Sequence, residues 1–97
     1  MLGTYEYMAP EMVKRIPHDH QIDVWALGIL LYELVHNREP FEIKSRSHRP
    51  DTNAILKGKI DFKKGLRNSY KDLVRRMLDQ DPKKRISLIK VFIHPWV

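Results

Sequence analysis

The chain has 97 residues, with 18 Lys and Arg against 12 Asp and Glu for a net charge of +6, and no cysteine. That length allows one domain at most, and the lack of Cys excludes a disulfide scaffold, a Cys-based zinc site and a cysteine nucleophile. A composition of 42% hydrophobic and 31% charged residues fits a folded chain, not a disordered or membrane-embedded one.

In chain order, Ala9-Pro10-Glu11 reads as a loop entering a short helix, since proline suits the first helical turn and a carboxylate suits the positive end of the dipole. Residues 18–21 are a polar connection. A helix is predicted over 22–36, with Asp23 near its start as a carboxylate acceptor for free N–H groups. Its apolar residues cover every face, the pattern of a helix buried on all sides. Asn37 tolerates the left-handed conformation that ends helices, and Pro40 prevents continuation. Residues 42–58 read as a basic loop followed by a short helix, capped by Asp51 or Thr52 and stopped by Gly58. The next helix is predicted over 68–80. Either Asn68 or Ser69 opens it, Asp72 is the reciprocal cap if Ser69 does, and Tyr70, Leu73, Val74, Met77 and Leu78 form one apolar face. Ser87 caps a last helix over 87–94. No segment alternates at period two, so the expected class is all-α.

Charge is divided along the chain. Residues 1–42 hold three basic and seven acidic residues, and residues 43–97 hold fifteen basic and five acidic. A basic half suits an acidic partner or an anionic surface. Nucleic acid is not expected, because the basic residues are not interleaved with aromatics and no reading motif occurs. The glycines, Gly3, Gly28, Gly58 and Gly65, lie too far apart for a phosphate cradle. No Ser-His-acid set or carboxylate pair suggests catalysis, and His18 and His20 read as loop residues, not metal ligands. The longest apolar run, Val24 to Tyr32, has nine residues, where about 20 are needed to span a bilayer. The first residues lack a signal-peptide pattern. An intracellular chain without a membrane partner is expected.

Four motifs in order carry a resemblance. Gly3-Thr4-Tyr5-Glu6-Tyr7-Met8-Ala9-Pro10-Glu11 resembles the end of the activation segment of a eukaryotic protein kinase. Asp23-Val24-Trp25-Ala26-Leu27-Gly28 resembles the D-x-W-x-x-G that opens the family's central F helix, and Pro40-Phe41 follows it. Asp81-Pro82-Lys83-Lys84-Arg85 and His94-Pro95-Trp96-Val97 resemble the closing segments. Together they cover nearly the whole chain. Met12, Glu6-Tyr7 and Arg85-Ile86-Ser87-Leu88 are similar to Aurora-type kinases, with calcium/calmodulin-dependent kinases second.

The resemblance implies that residues 1–97 are the C-lobe portion of the protein-kinase-like α+β fold, built around a buried F helix, with residues 1–13 ending the activation segment. The N-lobe and catalytic loop are absent, so this chain holds no catalytic residue, no cofactor-binding residue and no metal ligand. ATP and Mg²⁺ are implied for the intact kinase alone. Gly3, Thr4, Tyr5, Tyr7 and Met8 would position the substrate, Thr4 as the serine/threonine-specificity element. Glu11 and Arg85 would pair in a buried salt bridge. Asp23 would accept backbone N–H groups of the missing catalytic loop, while Trp25 and Gly28 serve packing. The partners implied are a protein substrate, with the acidic half suited to a basic one, and the missing N-terminal part of the domain. A different class of function remains open: a non-catalytic module, either a pseudokinase-like scaffold or a basic surface that binds acidic partners.

Overall fold

The computed structural model describes residues 7–41, 44–46, 49–51 and 53–97, with 44–46 and 49–51 described by backbone alone. Five helices and one small ribbon occur among them: α1 (Pro10–Val13), α2 (Gln21–His36), β1 (Lys44–Arg46), β2 (Arg49–Asp51), α3 (Asn53–Lys57), α4 (Asn68–Met77) and α5 (Leu88–Phe92).

The ribbon corrects the all-α expectation. β1 and β2 pair antiparallel with Lys44 opposite Asp51, Ser45 opposite Pro50 and Arg46 opposite Arg49. Strands of three residues are too short to display a period of two. Both strands are also edges, where proline is tolerated. Asp51 therefore lies in β2, and Thr52 lies outside the described residues.

The long helix α2 organises the rest. Its start is served by Asp19, whose Oδ1 accepts the Gln21 N–H at 2.9 Å. Asp23, expected in that role, stands three residues beyond the N-cap position His20, in the first turn. Asn37 ends the helix at φ 56°, donating its N–H to the Glu33 carbonyl at 2.8 Å. Two ridges of α2 meet two ridges of α4. Trp25, Ile29 and Tyr32, spaced i, i+4, i+7, join Tyr70, Val74 and Leu78 of the α4 region in one core cluster with Ala9, Phe41 and Ile55. Val24 joins Leu73 and Met77 in a second cluster, closed by Val91 of α5. Each large apolar side chain buried this way contributes about 1.5–3 kcal/mol against exposure.

A third face of α2 is uncovered by the described residues. Leu30 is 41% and Leu34 73% exposed, so the helix is not buried on all sides within this chain.

α4 begins at Asn68, as expected, but its capping and its C-terminal end depart from the sequence reading. Arg67 occupies the N-cap position without a side-chain hydrogen bond, and Asn68 and Ser69 are already helical. Asp72, the expected reciprocal cap, instead accepts from His94 and Arg76. The helix stops at Met77, short of residue 80, because the chain turns into a run of aspartate turns. Asp79 Oδ1 accepts the Asp81 N–H at 3.0 Å, and Asp81 Oδ1 accepts the Lys83 N–H at 2.9 Å. The chain then presents Gln80 to the end of α3, where its amide donates to the carbonyls of Ile55 at 2.6 Å and Leu56 at 2.5 Å. Helix ends leave such carbonyls without intrahelical partners. Gly58 completes that end at φ +68°, where a Cβ would also strike the Gln80 side chain. Ser87 caps α5, its Oγ accepting the Lys90 N–H at 3.4 Å.

Gly28 sets the distance between α2 and α4. A Cβ there would lie 2.9 Å from both Met77 Cβ and Leu78 Cδ2. Alanine is better than glycine by about 1 kcal/mol in a free helix, but forcing a methyl into this contact costs about 1–3 kcal/mol. Gly28→Ala is expected to lower the stability of the full-length protein in denaturant unfolding. A gain near the free-helix value would show that the two helices do not meet this closely.

Candidate functional site

The Arg85 guanidinium is a highly connected polar group among the described residues. Both Arg85 and Glu11 are buried. Nη1 donates to Glu11 Oε2 at 2.8 Å and Nη2 to Glu11 Oε1 at 2.9 Å, a bidentate fork. Nη1 also donates to the Gln21 carbonyl at 2.9 Å, and Nε to the Asp79 carbonyl at 2.9 Å. Four of the five guanidinium donors are thus used. The plane lies 5.1 Å from the centre of the Trp25 ring, and Trp25 stacks on Phe41 at 5.6 Å and 13°. One side chain near the end of the chain therefore holds α1, the start of α2 and the turn after α4.

Burial pushes the Glu11 carboxyl up, but the Arg85 hydrogen bonds and positive charge outweigh it and hold the group below its ordinary range. Among the described residues, the Trp25 Nε1–H is buried without a hydrogen-bond partner.

A second polar node ties down the end of the chain. His94 Nδ1 accepts the Trp96 N–H at 3.1 Å, which assigns the proton to Nε2, and Nε2 donates to Asp72 Oδ2 at 2.7 Å. Arg76 Nε donates to the same oxygen at 2.8 Å. The His94 and Arg76 hydrogen bonds lower the Asp72 pKa. A third node lies at the far end of α2. Tyr32 stacks on His36 at 3.7 Å, and its hydroxyl donates to the Asp61 carbonyl. His36 Nε2 accepts the Lys63 N–H at 3.1 Å, so Nδ1 carries the proton and donates to the Tyr32 carbonyl at 3.0 Å. Nearby, Tyr70 donates to the Leu31 carbonyl at 2.9 Å, and burial pushes its phenol up to about 12.

Gly3, Thr4 and Tyr5 lie outside the described residues. Tyr7 and Met8 are half-buried against the main core cluster. The Asp23 carboxylate is exposed and makes no hydrogen bond to the described residues, on the same stripe of α2 as Leu30 and Leu34 at i+7 and i+11. His18 and His20 are exposed. Among the described residues no group of three or more His, Asp or Glu could hold a metal ion. No helix there is long and apolar enough to cross a membrane. The three described glycines stand too far apart in sequence to cradle a nucleotide, so these residues do not fit Mg²⁺-ATP.

The protein kinase domain profile matches residues 1–97. The chain belongs to the protein kinase domain family. Calcium-dependent protein kinase 33 of Arabidopsis thaliana is 46% identical over 101 residues, covering 100% of this chain and 19% of that protein. An Aurora kinase of Candida glabrata is 40% identical over 97 residues, covering 100% of this chain and 26% of the relative. Serine/threonine-protein kinase Aurora-2 of Arabidopsis thaliana is 38% identical over 99 residues, covering 100% and 34%. The chain thus spans 19% to 34% of these relatives' length, and the Aurora likeness rests on the identities to Aurora proteins.

Sequence reasoning missed Gln80 and the Asp72–His94 contact. Gln80 carries no motif, and its role depends on where α3 happens to end. His94 was visible as part of His94-Pro95, but its partner lies 22 residues away with nothing local to mark it.

Removing one member of a buried ion pair leaves the other uncompensated, at a cost of about 3–5 kcal/mol. Glu11→Ala and Arg85→Ala in the full-length protein are each expected to lose stability on that scale, and the double variant little more than either alone. A denaturant double-mutant cycle checks this, and additive losses would refute the coupling.

Proposed function

We propose that this kinase-family chain forms the C-terminal part of the large lobe of a serine/threonine kinase, with α2 as the central F helix. In this proposal the intact protein works inside the cell, in cytoplasm or nucleus, and transfers the γ-phosphate of ATP to Ser or Thr of a protein substrate. The observation that carries the proposal is the Arg85 fork on Glu11. It ties the loop that ends in Ala9-Pro10-Glu11 to the turn after α4 across 74 positions of sequence, while the same guanidinium holds the Gln21 carbonyl at the front of α2. A loop that must present a substrate backbone in one geometry needs such a fixed end, because small misplacements near reacting atoms are costly.

Residues Gly3, Thr4, Tyr5, Tyr7 and Met8 precede this anchored end and would form the substrate-positioning surface, with Thr4 shaping the floor beneath the acceptor hydroxyl. None of them acts on the phosphate. The uncovered stripe of α2 supports the placement from the other side. Leu30 and Leu34 are an apolar surface with nothing described against it, and Asp23 is an unpaired acceptor at the head of that stripe among the described residues. Such a combination suits a covering segment that brings both apolar side chains and backbone N–H groups. The missing catalytic portion of the domain has both. Nucleotide and magnesium would be held by that portion, which supplies the phosphate donor and the metal charge.

The test uses the full-length protein with Mg²⁺-ATP and a Ser/Thr-containing protein substrate. Thr4→Ala is expected to lower kcat by about 100-fold, the scale of a misplaced reacting group, with recovery in Thr4→Ser and an unchanged melting temperature. Unaltered kcat in Thr4→Ala would remove the positioning role. No phosphate transfer by the unmodified full-length protein would favour the pseudokinase-like scaffold.

A further inference from the structure

The turn between α4 and α5 has a surface that phosphate transfer does not use. A groove of about 500 Å³ runs between the end of α4, the turn after Pro82 and α5, and its charged walls are Arg76, Lys83, Lys84, Arg85 and Lys90, with His94 beside them. No carboxylate residue lines it. The charges do not cancel internally. Arg85 is neutralised by Glu11, and Arg76 by Asp72, which also accepts a hydrogen bond from His94 Nε2. Lys83, Lys84 and Lys90 remain. All three are exposed, and none forms an ion pair with a described residue.

Three ammonium groups around one groove hold an uncompensated charge of three, and like charges brought together cost free energy unless an anion joins them. The polar walls also have an apolar component. Ile86 and Pro95 line the same groove, and no Phe, Tyr or Trp does. Base stacking, the usual sequence-tolerant contact with single-stranded nucleic acid, has no platform here. Flexible lysine stems suit spaced carboxylates as point charges, and the apolar pair suits an aliphatic side chain between them.

We propose that this groove docks an extended acidic peptide segment of a partner protein, with carboxylates on Lys83, Lys84 and Lys90 and an aliphatic residue against Ile86 and Pro95. The site shares no residue with the proposed substrate-positioning set, and its test needs no kinase activity, so it stands or falls apart from the proposed function. The recognition is charge-led, so affinity falls as salt screens the lysines.

The experiment measures fluorescence anisotropy of a labelled octapeptide of six glutamates and two leucines on the full-length protein at physiological salt. The variant Lys83→Gln/Lys84→Gln/Lys90→Gln is expected to bind at least tenfold more weakly. A control with the same charge change elsewhere, Lys57→Gln/Lys59→Gln/Lys64→Gln, is expected to stay within twofold of the parent. All six lysines are exposed, and thermal melts of both variants verify that folding is retained. If the groove variant melts early, single replacements of each lysine take its place, each expected to weaken binding measurably. Equal weakening in groove and control variants overturns the proposal, as does absence of peptide binding to the parent. A single-stranded oligonucleotide of equal charge that competes as well as the peptide also overturns it, in favour of a general polyanion surface.

Discussion

A guanidinium buried in a small helical unit must find partners for its charge and its N–H groups, or the structure around it is lost. Arg85 meets that demand with the Glu11 carboxylate, the carbonyls of Gln21 and Asp79, and the face of Trp25. These partners come from three separate stretches of chain: α1, α2 and the turn after α4. The constraint therefore works in reverse as well. Because the guanidinium is planar and its donors are fixed, α1, the head of α2 and the turn after α4 can satisfy it in one mutual arrangement only. The Trp25 ring, held between that cation and Phe41, extends the same arrangement to the segment following α2.

Packing carries the arrangement along α2. Gly28 lets α4 approach closely enough for Met77 and Leu78 to touch the α2 backbone region. From there Leu73 and Met77 reach Val24 and Val91, and Tyr70, Val74 and Leu78 reach Trp25, Ile29 and Tyr32. The helix is saturated on these two sides. Its remaining stripe, from Asp23 through Leu30 to Leu34, is open among the described residues. A kinase-family chain that spans 19% to 34% of these relatives' length leaves ample sequence in those relatives to occupy such a stripe.

The sequence exposed α2 and α4 because their apolar residues recur at helical spacing and their ends carry Asn37 and Asp81-Pro82. The Glu11–Arg85 pairing could not be read from spacing at all, since it spans 74 positions. It came into view through the resemblance of two short motifs to one family. Details settled by tertiary contacts were hidden. The start of α4 takes no side-chain cap, so Ser69 and Asp72 were plausible there on local grounds, yet Asp72 is drawn to His94. The β1–β2 ribbon was hidden for another reason: Lys-Ser-Arg and Arg-Pro-Asp carry no apolar alternation to detect. Gly58 was legible as a helix stop, but its companion Gln80 was not, because side-chain amides bond wherever free carbonyls lie within reach.

The central claim is that the Arg85 fork joins three separate segments into one cooperative unit. Amide hydrogen exchange of the full-length protein with Arg85→Lys tests it most directly, since lysine keeps the charge and loses the planar fork. Protection is expected to fall together at Met12 and Val13, at Asp23 near the start of α2, and at Ile86 after the turn, while Leu73 and Val74 within α4 retain theirs. Loss confined to the residues beside position 85, with α1 and the head of α2 still protected, would contradict the claim.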